Sequence, residues 1–253
     1  MNKYKYAVFD IDGTLNEHGN NFYIESIEAI KKLQDKKLKI LYASGKHPWY
    51  ITGLLTSCRL LNNDTIIIGE NGGIIFNPKT KQSFKLGNNN IRKFRNKIIN
   101  NCSEKNGYLI YKNYELWEEP KETIFTLFVK NKKNVKNLES IFKKIIKQKN
   151  LEHKILTFPD CIDIIDKNIN KSTALSYLSK KNKFKLSELI SFGDDLNDYE
   201  MLRDSGYSIA VGNSNKKIKR LVKNKKEYGY VCKKNVGKGV LEAVNKLIIN
   251  KII

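Results

Sequence analysis

The stretch Tyr6-Ala7-Val8-Phe9-Asp10-Ile11-Asp12-Gly13-Thr14 decides the fold. Four residues suited to a buried strand stop at Asp10 and are followed by Gly13 and Thr14, which reads as a core strand ending in a polar loop. The pattern then repeats. Ile24, Ile27, Ile30 and Leu33 recur at helical spacing through Lys36, and Leu38 to Ala43 forms a second apolar run closed by Ser44-Gly45. Strand, helix and strand in this order make a parallel unit. A helical stretch from Trp49 to Leu61 leads to a third run, Thr65 to Ile68, ending in Gly69-Glu70-Asn71-Gly72-Gly73. Much later Leu189 to Phe192 ends at Gly193-Asp194-Asp195, and Ser208 to Val211 ends at Gly212-Asn213. The expectation is an α/β fold built on a doubly wound parallel sheet.

Between these halves the pattern changes. Tyr108 to Tyr111, Thr123 to Lys130 and Lys154 to Phe158 read as strands, and Ile91 to Asn101 and Val135 to Lys149 as helices. The second helix carries Val135, Leu138, Phe142 and Ile145 on one face. An α+β domain inserted at residues 86–166 is expected, within a Rossmann-like core of residues 1–85 and 167–253.

Composition narrows the class. With 253 residues the chain can bury one good core and hold a second, smaller domain. It has no apolar run of membrane-spanning length and no signal-peptide pattern at its start, so a soluble cytoplasmic protein is expected. Cys58, Cys102, Cys161 and Cys232 never form the close pairs of a zinc or redox motif, and His18, His47 and His153 are equally scattered. The formal charge of +21 is large, and an excess of this size attracts polyanions. Lysine is spread along the whole chain beside abundant Asn and Ile, which reads as a basic solvated surface. No specific nucleic acid and no membrane is expected as a partner; the expected state is a monomer or homodimer.

In such a sheet, ligands bind outside the carboxyl ends of the strands. Asp10 and Asp12 follow the first strand, Ser44 the second, and Asp194, Asp195, Asn197 and Asp198 the fourth, so residues distant in sequence gather around one pocket. Carboxylates drawn together repel unless a cation intervenes. An oxygen-only donor set suits a hard ion, and Mg²⁺, which takes one or two carboxylates plus substrate phosphate, fits best. Aspartate is also a covalent acceptor for phosphoryl groups.

Asp10-Ile11-Asp12-Gly13-Thr14 resembles the first motif of the haloacid dehalogenase (HAD) superfamily phosphatases. Ser44-Gly45 resembles the second, Lys171 the third and Gly193-Asp194-Asp195-Leu196-Asn197-Asp198 the fourth, in the family's order and across essentially the whole chain. The resemblance implies a Mg²⁺-dependent phosphatase acting on a small phosphorylated substrate through an aspartyl-phosphate. Asp10 would be nucleophile and metal ligand, and Asp12 the general acid and base, also touching the metal through its backbone carbonyl. Ser44 and Gly45 would hold the phosphoryl group, Lys171 would neutralise it, Asp194 and Asp198 would complete the metal site, and Asn197 would orient ligands. Asp12 stands where related ion pumps carry Thr, which favours hydrolysis or phosphomutase chemistry. Two positions depart from the pattern: Lys46 where relatives commonly have Arg, and Ser172 where they commonly have Gly.

An insertion between the second and third motifs resembles the C2-type cap of the Cof-like and archaeal phosphoglycolate phosphatase-like branch, as does Glu70-Asn71-Gly72-Gly73. Such a cap would exclude water and set substrate choice. Glu115, Trp117 and Glu118 are candidates to face substrate, with Trp117 as an anchor of the cap core the plain alternative. Phosphoglycolate, a sugar phosphate and a phosphorylated cofactor all fit. Two rival readings stand beside the phosphatase: a phosphomutase on the same fold, and a basic polyanion-binding protein.

Overall fold

In the computed structural model, which describes residues 3–17, 21–87, 91, 95 and 113–253, the chain divides into two compact units. One is Met1–Phe84 with Asn170–Ile253, the other Lys85–Ile169. The first unit begins with strand β1 (Tyr6–Phe9), helix α1 (Ile24–Asp35), β2 (Lys39–Ala43), α2 (Pro48–Ser57), β3 (Ile66–Gly69), β4 (Ile74–Phe76) and β5 (Ser83–Lys85). The inner residues of α1 are Ser26, Ala29, Ile30 and Leu33. Ile24, expected on that stripe, is 78% exposed because helical spacing turns it to the side opposite Ser26, Ala29, Ile30 and Leu33.

The second unit holds β6 (Leu116–Glu119), β7 (Phe125–Val129), α3 (Val135–Gln148), β8 (His153–Thr157) and β9 (Cys161–Asp166). Its sheet runs β6-β7-β9-β8, with every neighbouring pair antiparallel. Alternation along β7 divides the two faces: Phe125, Leu127 and Val129 pack with Val135, Leu138 and Phe142 of α3, while Phe128 points the other way. Trp117 stacks on Phe128 with ring centroids 4.1 Å apart and is 54% exposed. This overturns the reading of Trp117 as an anchor of the inner core. The expected strand Tyr108 to Tyr111 lies outside the described residues, as do His18, Cys102 and all of the expected helix Ile91 to Asn101 except Ile91 and Arg95, both helical.

The chain then returns through α4 (Lys171–Lys181), β10 (Leu189–Gly193), α5 (Tyr199–Asp204), β11 (Tyr207–Ala210), α6 (Lys216–Asn224), β12 (Gly229–Val231) and α7 (Val236–Ile249). The eight-stranded sheet has the order β12-β11-β10-β1-β2-β3-β4-β5. From β12 to β3 every pair is parallel. β4 runs antiparallel to β3, so one edge departs from the all-parallel expectation. Neither β4 nor β12 was anticipated, since three residues carry no readable periodicity.

Both faces are covered, and adjacent residues show it. Ile209 packs into the cluster that holds Phe9, Ile40, Tyr42 and Phe192 with α1, α2 and α7, whereas Ala210 joins Leu202, Ile218 and Val222 of α5 and α6. Phe9 stacks on Phe192 at 4.3 Å between centroids. Burying each of these large side chains contributes roughly 2 kcal/mol, and the stack holds β1 and β10 together one residue before the acidic loops. Among the described residues no helix is long and apolar enough to cross a membrane.

Candidate active site

Register brings the motifs together. Phe9 pairs with Phe192 on one side and Tyr42 on the other, so Asp10, Gly193 and Ala43 leave three adjacent strands at the same level. The Asp10 N–H closes the gap by donating to the Phe192 carbonyl at 3.0 Å. Asp10, Asp194 and Asp198 offer carboxylate oxygens that all lie within 4.8 Å of one another.

Lys171 reaches this cluster from the first turn of α4. Its ammonium donates to Asp10 Oδ1 at 2.5 Å and to Asp198 Oδ1 at 2.6 Å, with the side chain wholly buried. Asn170 secures that start: its side chain accepts from the Thr173 N–H, and the Thr173 hydroxyl accepts from the Asn170 N–H. Ser172, the second departure in sequence, donates to Asp204 at 2.6 Å.

Asp198 stands at the cap position of α5. Its side chain makes no capping bond to that helix. Instead Oδ2 accepts from the N–H groups of Asp194 and Asp195 at 2.9 and 3.2 Å, while Oδ1 takes Lys171. Asp194 is held from the opposite side by the Thr14 hydroxyl at 2.9 Å. Gly13, at φ +92°, passes so close to Asp194 that a β-carbon there would overlap the carboxylate.

The other predicted residues lie around this centre. The Asp12 carboxylate is 3.4 Å from the Lys46 ammonium. Ser44 is buried, and its hydroxyl oxygen accepts from the Lys46 N–H at 3.2 Å. Gly45 lies against the side chain of Asn71, where a β-carbon would come within 3.1 Å of the amide nitrogen. Asn197 donates to Asn71 Oδ1 at 3.2 Å. In the second unit Glu115 pairs with Lys130 and Glu118 with Arg95, each at 2.7 Å.

Three participants were missed from sequence. Asn71 sits buried at φ +54°, its N–H bound to the Ser44 carbonyl at 2.9 Å, and so links the second and fourth motifs. Its only sequence signal was the Glu70-to-Gly73 stretch. Thr14 and Asn213 are the others: Asn213 donates to the Gly13 carbonyl and accepts from the Val236 N–H, both at 2.8 Å. A polar residue after a strand is too common to single out.

The electrostatics follow from burial. Desolvation, then the neighbouring Asp198 charge, pushes the Asp10 carboxyl up to about 7, against the opposing pull of Lys171. Desolvation, then Asp10 and Asp198, raises Asp194 to about 9. Burial alone would lower Lys171, but Asp10 and Asp198 outweigh it and keep the ammonium charged well above its usual range. Three carboxylates and one ammonium leave a net deficit of positive charge. Asp10 Oδ2 is moreover buried with no hydrogen-bond partner among the described residues. An unsatisfied oxygen in an all-oxygen acidic cluster fits a hard divalent cation.

The sequence model of the haloacid dehalogenase-like hydrolase family matches residues 7–117 and 95–244. The chain belongs to that family. The hydrolase is 30% identical over 251 residues to a phosphoglycolate phosphatase of Methanobrevibacter smithii, covering 95% of this chain and 97% of that one. A phosphoglycolate phosphatase of Methanoculleus marisnigri is 27% identical, with 96% of each chain covered. A haloacid dehalogenase-like hydrolase from Bacteroides thetaiotaomicron shares the fold with a TM-score of 0.72 at 19% identity, covering 96% of this chain and 99% of that one.

Proposed function

We propose that the hydrolase is a Mg²⁺-dependent phosphatase that cleaves a small phosphomonoester through an aspartyl-phosphate at Asp10. The observation that carries this reading is the unpartnered buried oxygen of Asp10 beside Asp194, Asp198 and a fully buried lysine. Asp10 attacks phosphorus as the bond to the leaving oxygen breaks, and Asp12 gives that oxygen its proton. Water then attacks the phosphorus of the aspartyl-phosphate while the Asp12 carboxylate takes a proton from it, releasing phosphate and restoring Asp10.

Asp10, Asp194 and the backbone carbonyl of Asp12 would hold the ion, which supplies positive charge to the phosphoryl oxygens. Asp198, whose oxygens already take Lys171 and two N–H groups, would serve that site by fixing its neighbours. Lys171 neutralises the transferring group, and the Ser44 hydroxyl and the Gly45 backbone bind its oxygens, with Asn197 steadying the loop through Asn71. The unit Lys85–Ile169 would set substrate choice. The names of the relatives make phosphoglycolate the leading candidate substrate.

The test is phosphate release with Mg²⁺ from a panel holding phosphoglycolate, hexose phosphates, flavin mononucleotide and pyridoxal phosphate. Activity should vanish on chelation and return with Mg²⁺. Asp10→Asn should lose at least about 10³-fold in kcat while remaining folded; undiminished turnover in that variant refutes the assigned nucleophile.

A further inference from the structure

Lys46 is given no task by the chemistry above. Its backbone is pinned on both sides, the N–H donating to Ser44 Oγ at 3.2 Å and the carbonyl accepting from the Glu70 N–H at 3.0 Å. The side chain thus leaves a fixed root and brings its ammonium 3.4 Å from Asp12 Oδ2 and 4.8 Å from the centre of the Tyr50 ring. Unlike the enclosed Lys171, it keeps 27% of its side-chain surface open. An ammonium carries three donors, and one carboxylate and a ring face do not use them all.

Position gives this cation its meaning. If Asp12 protonates the leaving oxygen, that oxygen sits within about 3 Å of the Asp12 carboxylate. Lys46 touches the same carboxylate from the rim, so leaving oxygen and ammonium lie no more than about 6 to 7 Å apart. An anionic group one or two carbons from the ester oxygen spans that gap.

We propose that Lys46 is a specificity-determining residue whose ammonium binds a carboxylate on the leaving group, so that the hydrolase prefers phosphorylated hydroxy acids to neutral phosphomonoesters of the same size. This rests on the phosphatase reading with Asp12 as the acid. The rival role for Lys46, pairing with Asp12 alone, would affect all substrates alike.

Phosphoglycolate and ethyl phosphate separate the two, because they differ in a carboxylate against a methyl group. The expected result is a wild-type preference for phosphoglycolate in kcat/KM that falls about 10- to 100-fold in Lys46→Gln, mainly through KM, and is largely kept in Lys46→Arg. A preference ratio unchanged in Lys46→Gln, or no wild-type preference, overturns the proposal. Calorimetric binding of the same two compounds to both proteins runs in parallel. If the wild type hydrolyses neither these nor any other phosphomonoester of the panel, the phosphatase reading fails, and the binding ratio still decides for or against Lys46.

Discussion

The two oxygens of Asp10 are in different situations: Oδ1 accepts from Lys171, and Oδ2 has no partner among the described residues. This asymmetry makes the resting site dependent on protons or a cation. Asp10 and Asp194 keep folded-state affinities for protons well above the ordinary 3.8, so the folded chain binds protons that the unfolded chain has already released. Their contribution to stability is present below about pH 4 and is lost as pH rises through about 7 for Asp10 and about 9 for Asp194. Lys171 is shifted upward as well, but from a much higher ordinary value, so its contribution is full across that window. Metal-free protein should therefore lose thermal stability from pH 5 to 9, and the rise in Tm caused by Mg²⁺ should grow over the same range. Thermal melts with Mg²⁺ or chelator at each pH check this; a Mg²⁺ increment independent of pH would count against it. Removing the ammonium in Lys171→Met strands two buried carboxylates and should cost about 3–5 kcal/mol at pH 8 by chemical denaturation.

Lys171 can stand between Asp10 and Asp198 because α4 begins there. A cation in the first turn opposes the helix dipole, and the Asn170–Thr173 capping pair helps keep the turn in place. Asn170→Ala should lower stability by about 1 kcal/mol and reduce kcat more than KM, since the displaced group acts on the transferring phosphoryl; a normal kcat in a measurably destabilised variant would show that the cap does not position Lys171. Some elements of this length were legible in the sequence. Val135, Leu138 and Phe142 announce α3 by spacing, and β1, β2, β3 and β10 stand out as apolar runs that end at polar loops. What was not read includes the helices α6 and α7 and the six-residue strand β9, and otherwise is short or relational. β6 alternates weakly, with Trp117 on the open face and two glutamates. Asn71 becomes a site residue only because a left-handed turn brings its N–H to Ser44 and its amide to Asn197. The partners of Asp198 were hidden for the same reason: they lie on the preceding loop and on α4, and no local pattern encodes them.

Across the whole molecule, charge is the property that distinguishes this hydrolase. Lysines and arginines number 47 against 26 acids, and Glu227 is the only acidic residue from Lys216 to Lys238. That stretch opens at the site, where the Asn215 N–H donates to the Asp194 carbonyl at 2.8 Å; Lys216, Lys217, Arg220 and Lys223 are then exposed along α6. A phosphorylated substrate approaching the carboxyl ends of the strands meets a positive field that salt screens over about 10 Å at 0.1 M. The expected outcome is a kcat/KM for an anionic phosphomonoester that falls several-fold between about 20 and 300 mM salt, with kcat nearly constant. Replacing Lys216, Lys217 and Lys223 by Gln should flatten that slope while leaving saturating turnover in place. The same field predicts that DNA held at low salt is released by physiological salt, as counterion competition requires of contacts made by charge alone. DNA retained at that salt with an affinity that depends on sequence would mean that the basic face has a dedicated polyanion partner, and the steering account of the excess charge would have to give way.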